Sequence, residues 1–280
     1  MAPKQTPWRN KLAMVSGGSS GLGRHLALQL AEQGARLILI GREPERLENA
    51  RNAAMRAGAT DACVFAVDVA DEKSWEPVLG TAAQLTEFLA ENPVDLLINV
   101  VGRSDRGLLE NLSTANLLDH FRVNVLSTFH VTKACLPSLK QTGGTVVDIA
   151  SLAGIVAAPG MGAYSLAKHA LVGMHRQWRL ELHGCNVHFL LVCPGPIQSD
   201  DQESRYEALV AARGLDMRRA RPGGGVRLTQ LDPKVLAQQV LDAAARRQEE
   251  MVVPWKVRLL AAIMSFWPGW ADSMVRKRYS

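Results

Sequence analysis

Short apolar runs alternate with longer helix-type stretches along most of this chain, and this alternation limits the folds that are open to it. The runs cover residues 12–15, 37–40, 63–67, 96–101, 145–149, 187–193 and 251–253. Continuous apolar strands joined by helices are typical of a parallel sheet, because the connecting helices cover both of its faces. The pattern therefore predicts an α/β fold built on about seven parallel strands.

A doubly wound parallel sheet with helices on both faces is a Rossmann-like fold, and its ligands bind beyond the carboxyl ends of the strands. The residues that directly follow the apolar runs are therefore the candidate binding residues. They are the stretch 16–23, Gly41 and Arg42, Asp68 and Val69, Asn99 to Gly102, Ser151, and Pro194 to Pro196.

Length and composition favour one domain and exclude some functions. The chain has 280 residues, and 47% of them are hydrophobic. Its net charge is +5, but the sequence has no run of lysine or arginine of the kind that binds nucleic acid. No apolar run reaches the roughly 18 residues of a membrane-spanning helix, and the N-terminus lacks a signal core. We therefore expect a cytoplasmic protein that does not bind nucleic acid.

The cysteines and histidines do not predict a metal site. Cysteines 63, 135, 185 and 193 stand in apolar segments without ligand or disulfide spacing, so we expect them to be buried and reduced. Histidines 169, 175, 183 and 188 share no ligand face with carboxylates, and we expect them on helix surfaces or in the core.

The stretch "SGGSSGLG" stands between the first apolar run and a helical pattern. Glycine allows tight turns and close approach of the backbone, and a helix N-terminus offers free N–H groups and a positive dipole end. These properties suit a phosphate, although glycine turns also occur for packing alone. Because the stretch links a strand to a helix ahead of a second strand, we favour a dinucleotide site. It comprises Ser16, Gly17, Ser19, Ser20, Gly21, Leu22 and Gly23.

Arg42 indicates which dinucleotide binds. An acidic residue after the second strand holds a free ribose 2′-hydroxyl, whereas an arginine there accommodates a 2′-phosphate. The second run ends before Gly41 and Arg42, and the guanidinium can bind a phosphate through two hydrogen bonds. We therefore predict NADP over NAD. The alternative is that Arg42 is only a solvated loop residue, and the nearby Glu43 argues mildly against a phosphate.

Tyr164 and Lys168 stand four residues apart in a helical pattern, so both project from one face. A cation one turn from a phenol favours the phenolate and makes the tyrosine a usable general acid or base. Ser151 follows the fifth run, where its hydroxyl could hydrogen-bond a developing alkoxide. These three residues predict proton transfer at a carbonyl or hydroxyl group.

Over residues 11–255, the ordered motifs resemble the short-chain dehydrogenase/reductase family, of the NADP-preferring carbonyl reductase type. "SGGSSGLG" is similar to the family's Thr-Gly-x-x-x-Gly-x-Gly loop, with Ser16 in place of threonine. The other matches are Asp68 and Val69 beside the adenine, "NVVG" at Asn99 to Gly102, Asn124, the set Ser151, Tyr164 and Lys168, and "PGPIQS" with Pro194, Gly195, Ile197 and Ser199 near the nicotinamide.

The resemblance implies a role for each residue of the catalytic set. Tyr164 is the proton donor, Ser151 holds the carbonyl oxygen, and Lys168 binds ribose and tunes Tyr164. Asn124 positions a water molecule in the proton relay. The resemblance also implies a homodimer or homotetramer. The sequence departs from the family pattern at two places. Val100 and Val101 replace small or amide residues, and Gln198 or Ser199 replaces the threonine that usually follows the Pro-Gly motif.

The remaining segments are the two ends of the chain, a variable region, and apolar residues near the expected substrate site. Residues 1–10 are read as an N-terminal extension, 200–227 as a variable substrate lid, and 256–280 as an apolar and basic tail. Residues Leu152, Ile155, Val156 and Met161 predict an apolar substrate body. The tail has aromatic residues flanked by cations, which fits a helix in a membrane interface, on a partner subunit or over the substrate pocket.

The sequence therefore leaves three hypotheses for the function. The first is an NADP(H)-dependent oxidoreductase acting on an apolar or lipid-like ketone or aldehyde, with a possible membrane contact through the tail. The second is a reductase of a small soluble carbonyl. The third is a non-catalytic protein that senses NADP.

Overall fold

A seven-stranded parallel sheet organises the chain in the computed structural model, which describes residues 6–75, 81–198, 207–211, 213, 215–216 and 229–279. The strand order is β3-β2-β1-β4-β5-β6-β7. The strands are β1 Leu12–Ser16, β2 Arg36–Gly41, β3 Asp61–Ala66, β4 Leu96–Asn99, β5 Thr145–Ile149, β6 His188–Pro194 and β7 Glu250–Val253. Each strand overlaps one of the seven apolar runs, which confirms the predicted doubly wound α/β sheet.

Helices connect the strands and cover both faces of the sheet. The described helices are α1 Gly21–Glu32, α2 Pro44–Ala57, α3 Thr81–Glu91, α4 Thr114–Phe121, α5 Ser127–Thr142, α6 Gly162–Glu181, α7 Pro233–Ala245, α8 Lys256–Phe266 and α9 Pro268–Tyr279. A π-helical segment, Arg122–Leu126, joins α4 to α5, and short 3₁₀ turns span Glu72–Trp75, Leu109–Asn111 and Leu152–Gly154.

The two faces of the sheet carry separate apolar cores. Val15 of β1 packs with α1, α2 and α7, whereas the preceding residue, Met14, packs with α3 and α5 on the opposite face. This alternation follows from the two-residue period of a strand. Trp8 belongs to the first core and is only 7% exposed, so the segment predicted as an extension is anchored to the domain at that residue.

The cysteines are all free thiols, but the expectation that all four are buried was wrong for two of them. Cys135 and Cys193 are buried, and desolvation raises the pKa of each thiol to about 12. Cys63 is only partly buried because β3 is an edge strand, and Cys185 is partly exposed because it lies in the turn after α6.

The C-terminal tail forms two helices, α8 and α9, that pack against each other. Among the described residues, no helix is long and apolar enough to cross a membrane. The order of the strands changes direction between β1 and β4, since β2 and β3 lie on one side of β1 and the later strands on the other. This reversal opens a crevice at the carboxyl ends of the strands.

We expect Gly23→Ala to destabilise the protein. A Cβ on Gly23 would lie 2.1 Å from the backbone oxygen of Gly17, and a backbone clash cannot be relieved by a change of rotamer. Overpacking of this kind costs about 1–3 kcal/mol, which urea unfolding measures. Gly173→Ala is the control, because a Cβ there meets no atom within 4 Å and alanine favours a helix by about 1 kcal/mol over glycine. A Gly23→Ala variant as stable as the wild type would contradict this account of the turn.

Candidate active site

A cavity of about 1030 Å³ opens at the carboxyl ends of the strands. Its wall includes the turn after β1, the residues that follow β2 and β3, and the segment after β4. Ser151 after β5 and the first turns of α6 add further lining, and α8 closes another side. The crevice predicted from the strand order is therefore a single large cavity.

The turn after β1 lines this cavity and leads into the N-terminus of α1. Ser20 is the N-cap of α1, yet its side chain makes no capping hydrogen bond, and the first turn of α1 has no acidic residue. Gly17 and Gly21 have φ angles of +87° and +48°, which favour glycine. A Cβ on Gly21 would meet no atom within 4 Å, so the space beside it is open. An uncapped helix N-terminus beside open space fits a phosphate group.

Val100 and Val101, which depart from the family pattern, pack against this turn. A Cβ on Gly17 would lie 3.2 Å from Val101 Cγ2, and one on Gly23 would lie 3.0 Å from Val100 Cγ1. The two valines therefore fill the space under the turn, and both also line the cavity.

Arg42 lies in the cavity wall directly after β2 and is exposed. Glu43, the acid that counted against a phosphate, is paired with Arg46, whose Nε lies 2.9 Å from Glu43 Oε2. Within the described part of the chain, Arg42 has no ion-pair partner of its own. Its guanidinium is therefore available to an anion at this end of the cavity.

Asp68 and Val69 also line the cavity, on the side of β3. Asp68 Oδ1 accepts a hydrogen bond from the backbone N–H of Ala70 at 3.0 Å. At the other side, Pro194 ends β6, Gly195 and Ile197 come after it, and all three line the cavity. Ser199 lies outside the described residues, as do most residues of the predicted lid, 200–227.

Ser151, two residues after β5, and Tyr164 on α6 both line the cavity. Ser151 Oγ accepts a hydrogen bond from the backbone N–H of Ala153 at 3.1 Å. A hydroxyl that accepts this bond keeps its own hydrogen for a second partner. Tyr164 stands near the start of α6 and is half-buried.

Lys168 lies one turn after Tyr164 and is 3% exposed. Its Nζ donates to the backbone oxygen of Ile149 at 3.0 Å and lies 5.9 Å from the centre of the Tyr164 ring. Desolvation lowers the pKa of Lys168 to about 8, against the raising effect of Cys193 and Asp148. The ammonium is therefore the major form at neutral pH, although burial opposes it.

Asn124 sits in the π-helical segment and is fully buried. Its Nδ2 donates to the backbone oxygens of His120 and Arg103, both at 3.0 Å, and its Oδ1 accepts from the N–H of Arg103 at 3.1 Å. A Cβ on Gly102 would lie 2.9 Å from Asn124 Oδ1 and 3.2 Å from Lys168 Nζ. Because Gly102 has no side chain, Asn124 and Lys168 can both lie close to its backbone.

Four predicted site residues lie behind the cavity wall instead of in it: Ser16, Gly23, Asn99 and Asn124. Ser16 is buried at the end of β1, and Gly23 packs on the backbone of Gly17. Asn99 Nδ2 donates to Asp148 Oδ1 at 2.8 Å and to Thr132 Oγ1 at 3.0 Å. These residues support the wall, and their direct contact with a cofactor stays a prediction.

The far end of the cavity is apolar. Leu152, Val156 and Met161 line it as expected, whereas Ile155 packs in a neighbouring core. The sequence analysis left open where the tail packs, and the structure places Leu260 and Ile263 of α8 in this wall. The sequence analysis also missed Arg106, a buried side chain in the cavity wall, because no motif includes that position.

Comparisons with known proteins agree with this geometry. A family model described as short chain dehydrogenase matches residues 11–209. The "Uncharacterized oxidoreductase YusZ" of Bacillus subtilis is 32% identical over 187 residues, which cover 66% of this chain and 64% of the relative. The "11-beta-hydroxysteroid dehydrogenase 1A" of Arabidopsis thaliana is 31% identical over 200 residues, covering 70% and 55%. The match thus spans less than two thirds of the length of either relative.

A third relative matches nearly end to end. The "Probable short-chain type dehydrogenase/reductase VdlC" of Helicobacter pylori is 28% identical over 273 residues, covering 95% of this chain and 96% of that protein. Among solved structures, an alcohol dehydrogenase from the archaeon Thermococcus sibiricus, complexed with 5-hydroxy-NADP, superposes with a TM-score of 0.68. It is 24% identical and the alignment covers 86% of this chain and 95% of that chain, which shows the common fold.

Proposed function

This chain belongs to the short-chain dehydrogenase family, and from that premise we propose that it is an NADP(H)-dependent oxidoreductase that interconverts a ketone or aldehyde with an alcohol. One observation carries the proposal. The glycine turn, Arg42, Ser151, Tyr164 and Lys168 all line the same cavity. A nucleotide site and a proton-transfer site therefore open into one space.

The residues present fit a nicotinamide dinucleotide. The uncapped N-terminus of α1 would hold the pyrophosphate, and Asp68 and Val69 would lie beside the adenine. Arg42 would bind a ribose 2′-phosphate, since Glu43 is occupied by Arg46. Lys168 and the residues Pro194, Gly195 and Ile197 would hold the nicotinamide end. When bound, the cofactor supplies or accepts the hydride.

The chain's own residues would manage the carbonyl oxygen and its proton. The Ser151 hydroxyl, whose oxygen accepts a hydrogen bond from Ala153, would donate its own hydrogen to the substrate oxygen. The Tyr164 phenol would donate the proton in reduction and accept it in oxidation. The Lys168 ammonium would stabilise the phenolate that this transfer leaves behind. Asn124 would hold the backbone of Arg103 beside Lys168 and support the proton relay.

The substrate end of the cavity favours an apolar or lipid-like carbonyl compound. Its walls come from Leu152, Val156 and Met161 on one side and from Leu260 and Ile263 of α8 on the other. An apolar body between these walls would leave the reacting carbonyl at the polar end, near Ser151 and Tyr164. A small soluble carbonyl would leave this volume unfilled.

The outer surface of the tail fits a membrane interface, and we include this contact in the proposal. Trp255, Phe266, Trp267 and Trp270 are between 57% and 76% exposed. The exposed cations Lys256, Arg258, Arg276 and Lys277 belong to the same two helices. Tryptophan and basic residues together favour anionic lipid headgroups. Since α8 also lines the cavity, an interfacial tail would bring the substrate end of the cavity close to lipid.

A homodimer or homotetramer is a further part of the proposal. The exposed apolar residues Leu117, Leu118, Phe121 and Leu180 lie on α4 and α6, which pack against each other. An apolar surface of this kind favours association between copies of the chain.

We expect Arg42→Ala to lose affinity for NADPH and not for NADH. A charge-assisted hydrogen bond contributes about 1.5–3 kcal/mol, so the Kd for NADPH should rise about 10- to 100-fold. Titration with each nucleotide, followed by nicotinamide fluorescence, measures both constants. Arg51→Ala is the matched control, since Arg51 is paired with Glu48 on the same helix, α2, and does not line the cavity. Equal loss for both nucleotides, or preferential binding of NADH by the wild type, would overturn the assignment of NADP.

We expect Tyr164→Phe to abolish turnover and to leave NADPH binding within about twofold. Loss of the general acid typically costs about 10²- to 10⁴-fold in rate. The assay follows oxidation of NADPH with a panel of apolar ketones and aldehydes, and nucleotide binding by fluorescence. If the wild type binds NADPH tightly and turns over no carbonyl in either direction, the non-catalytic sensor is the better explanation.

We expect the protein to float with vesicles that contain anionic phospholipid, and less with purely zwitterionic vesicles. Trp267→Ser with Trp270→Ser should reduce the bound fraction at least about tenfold, because two exposed indoles lose their interfacial contact. Val235→Ser, which alters an exposed apolar residue on α7, is the control. Wild-type protein that stays in the lipid-free fraction would contradict the membrane contact. If the tryptophan variants also change the oligomer mass, the tail instead contacts a partner subunit.

A further inference from the structure

A buried polar cluster lies behind the catalytic wall, between β4, β5 and α6. Asp148 on β5 and His175 on α6 are at most 1% exposed, and Asn99 at the end of β4 is 3% exposed. His175 Nδ1 lies 2.7 Å from Asp148 Oδ2, and Asn99 Nδ2 donates to Asp148 Oδ1 at 2.8 Å. Each carboxyl oxygen thus has a nitrogen partner in the core.

The partners of Asp148 fit an ionised carboxylate beside a neutral imidazole. The amide nitrogen of Asn99 can only donate, so Oδ1 acts as an acceptor. A neutral His175 that carries its hydrogen on Nδ1 donates to Oδ2, and its Nε2 then needs no acceptor. This agrees with the structure, since Nε2 is buried and has no hydrogen-bond partner among the described residues. The cluster then has one net negative charge.

The cluster is joined to the catalytic residues by two short covalent paths. Asp148 directly precedes Ile149, whose backbone oxygen accepts from Lys168 Nζ. His175 follows Lys168 by seven residues, or two turns, on the buried face of α6. The Asp148–His175 contact therefore ties the face of α6 that bears Lys168 to the strand that leads to Ser151.

Three titratable groups lie around Lys168: Tyr164 on α6, Asp148 on β5 and Cys193 on β6. The neutral amide of Asn124 in the π-helical segment also lies nearby, since both side chains approach Gly102. Burial raises the pKa of the Cys193 thiol to about 12, so Cys193 is uncharged at neutral pH. Asp148 is then the group in this set that supplies a negative charge to the buried ammonium.

We propose that Asp148 is a positioning residue for Lys168, which holds Lys168 in its ammonium form by charge and, through His175, fixes α6 against β5. The catalytic meaning of this role rests on the proposed function, because there the ammonium of Lys168 supports proton transfer by Tyr164. The electrostatic effect itself is a property of the folded protein and can be measured without a substrate.

The test is a pH titration of Lys168 by NMR, in protein labelled with ¹³C at the lysine ε-carbons. The Lys168 signal is assigned by its absence in Lys168→Arg. Asp148→Asn removes the charge and keeps the shape of the side chain. Its one carbonyl oxygen can still accept from Asn99, and its nitrogen can donate to His175 Nδ1 once the imidazole hydrogen moves to Nε2. We expect this variant to lower the titration midpoint of Lys168 by about one pH unit, a tenfold change in the protonation equilibrium.

His175→Gln is the matched control, because it disturbs the same contact and leaves the carboxylate in place. We expect it to leave the Lys168 midpoint unchanged and to lower the stability of the protein. If Asp148→Asn does not fold, Asp148→Thr removes the same charge with a residue that suits a central strand. An unchanged midpoint in the neutral variants, or an equal shift in His175→Gln, would overturn the proposal. If the wild type shows no turnover, the proposed function is wrong, but the titration of Lys168 still tests the effect of Asp148.

Discussion

The site depends on keeping the ammonium of Lys168 charged although this side chain is only 3% exposed. Desolvation lowers the pKa of Lys168 to about 8, so burial alone works against the charged form. The backbone oxygen of Ile149 accepts one hydrogen bond from the ammonium, and the buried Asp148 provides a compensating charge. Gly102 leaves room for Lys168 beside Asn124. A desolvated cation acts more strongly on a nearby phenol than a solvated one does, so the cost of burying it is also the source of its effect.

Much of this arrangement could be predicted from the sequence, because it follows from local rules. The apolar runs located all seven strands, and the rule that ligands bind beyond strand ends located the glycine turn, Arg42 and Ser151. Tyr164 and Lys168 could be placed on one helix face from their spacing alone. Each of these inferences uses residues that are close in sequence or strand ends that a parallel sheet must bring together.

The remainder depends on which distant segments meet, and periodicity does not give that information. His175 was treated as one of several core or surface histidines, and only the packing of α6 on β5 shows that it contacts Asp148. Asn99 was expected at the cofactor, yet the same packing uses its amide inside the cluster. The tail could be recognised as apolar and basic, but its contact with the cavity depends on how the chain turns after β7.

The polarity of the cavity limits how a substrate could lie in it. The polar end contains the N-terminus of α1 and Arg42, and the apolar end lies between Leu152 and α8. Ser151 and Tyr164 lie between the two ends, so a carbonyl group at the end of an apolar body can reach them without burying a polar group among apolar walls. A molecule that entered in the opposite direction would place its carbonyl against Leu260 and Ile263, where it would lose its hydrogen bonds to water. On the proposed function, desolvation would therefore set the orientation of the substrate, and the hydrogen-bonding groups would need to act only at the reacting oxygen.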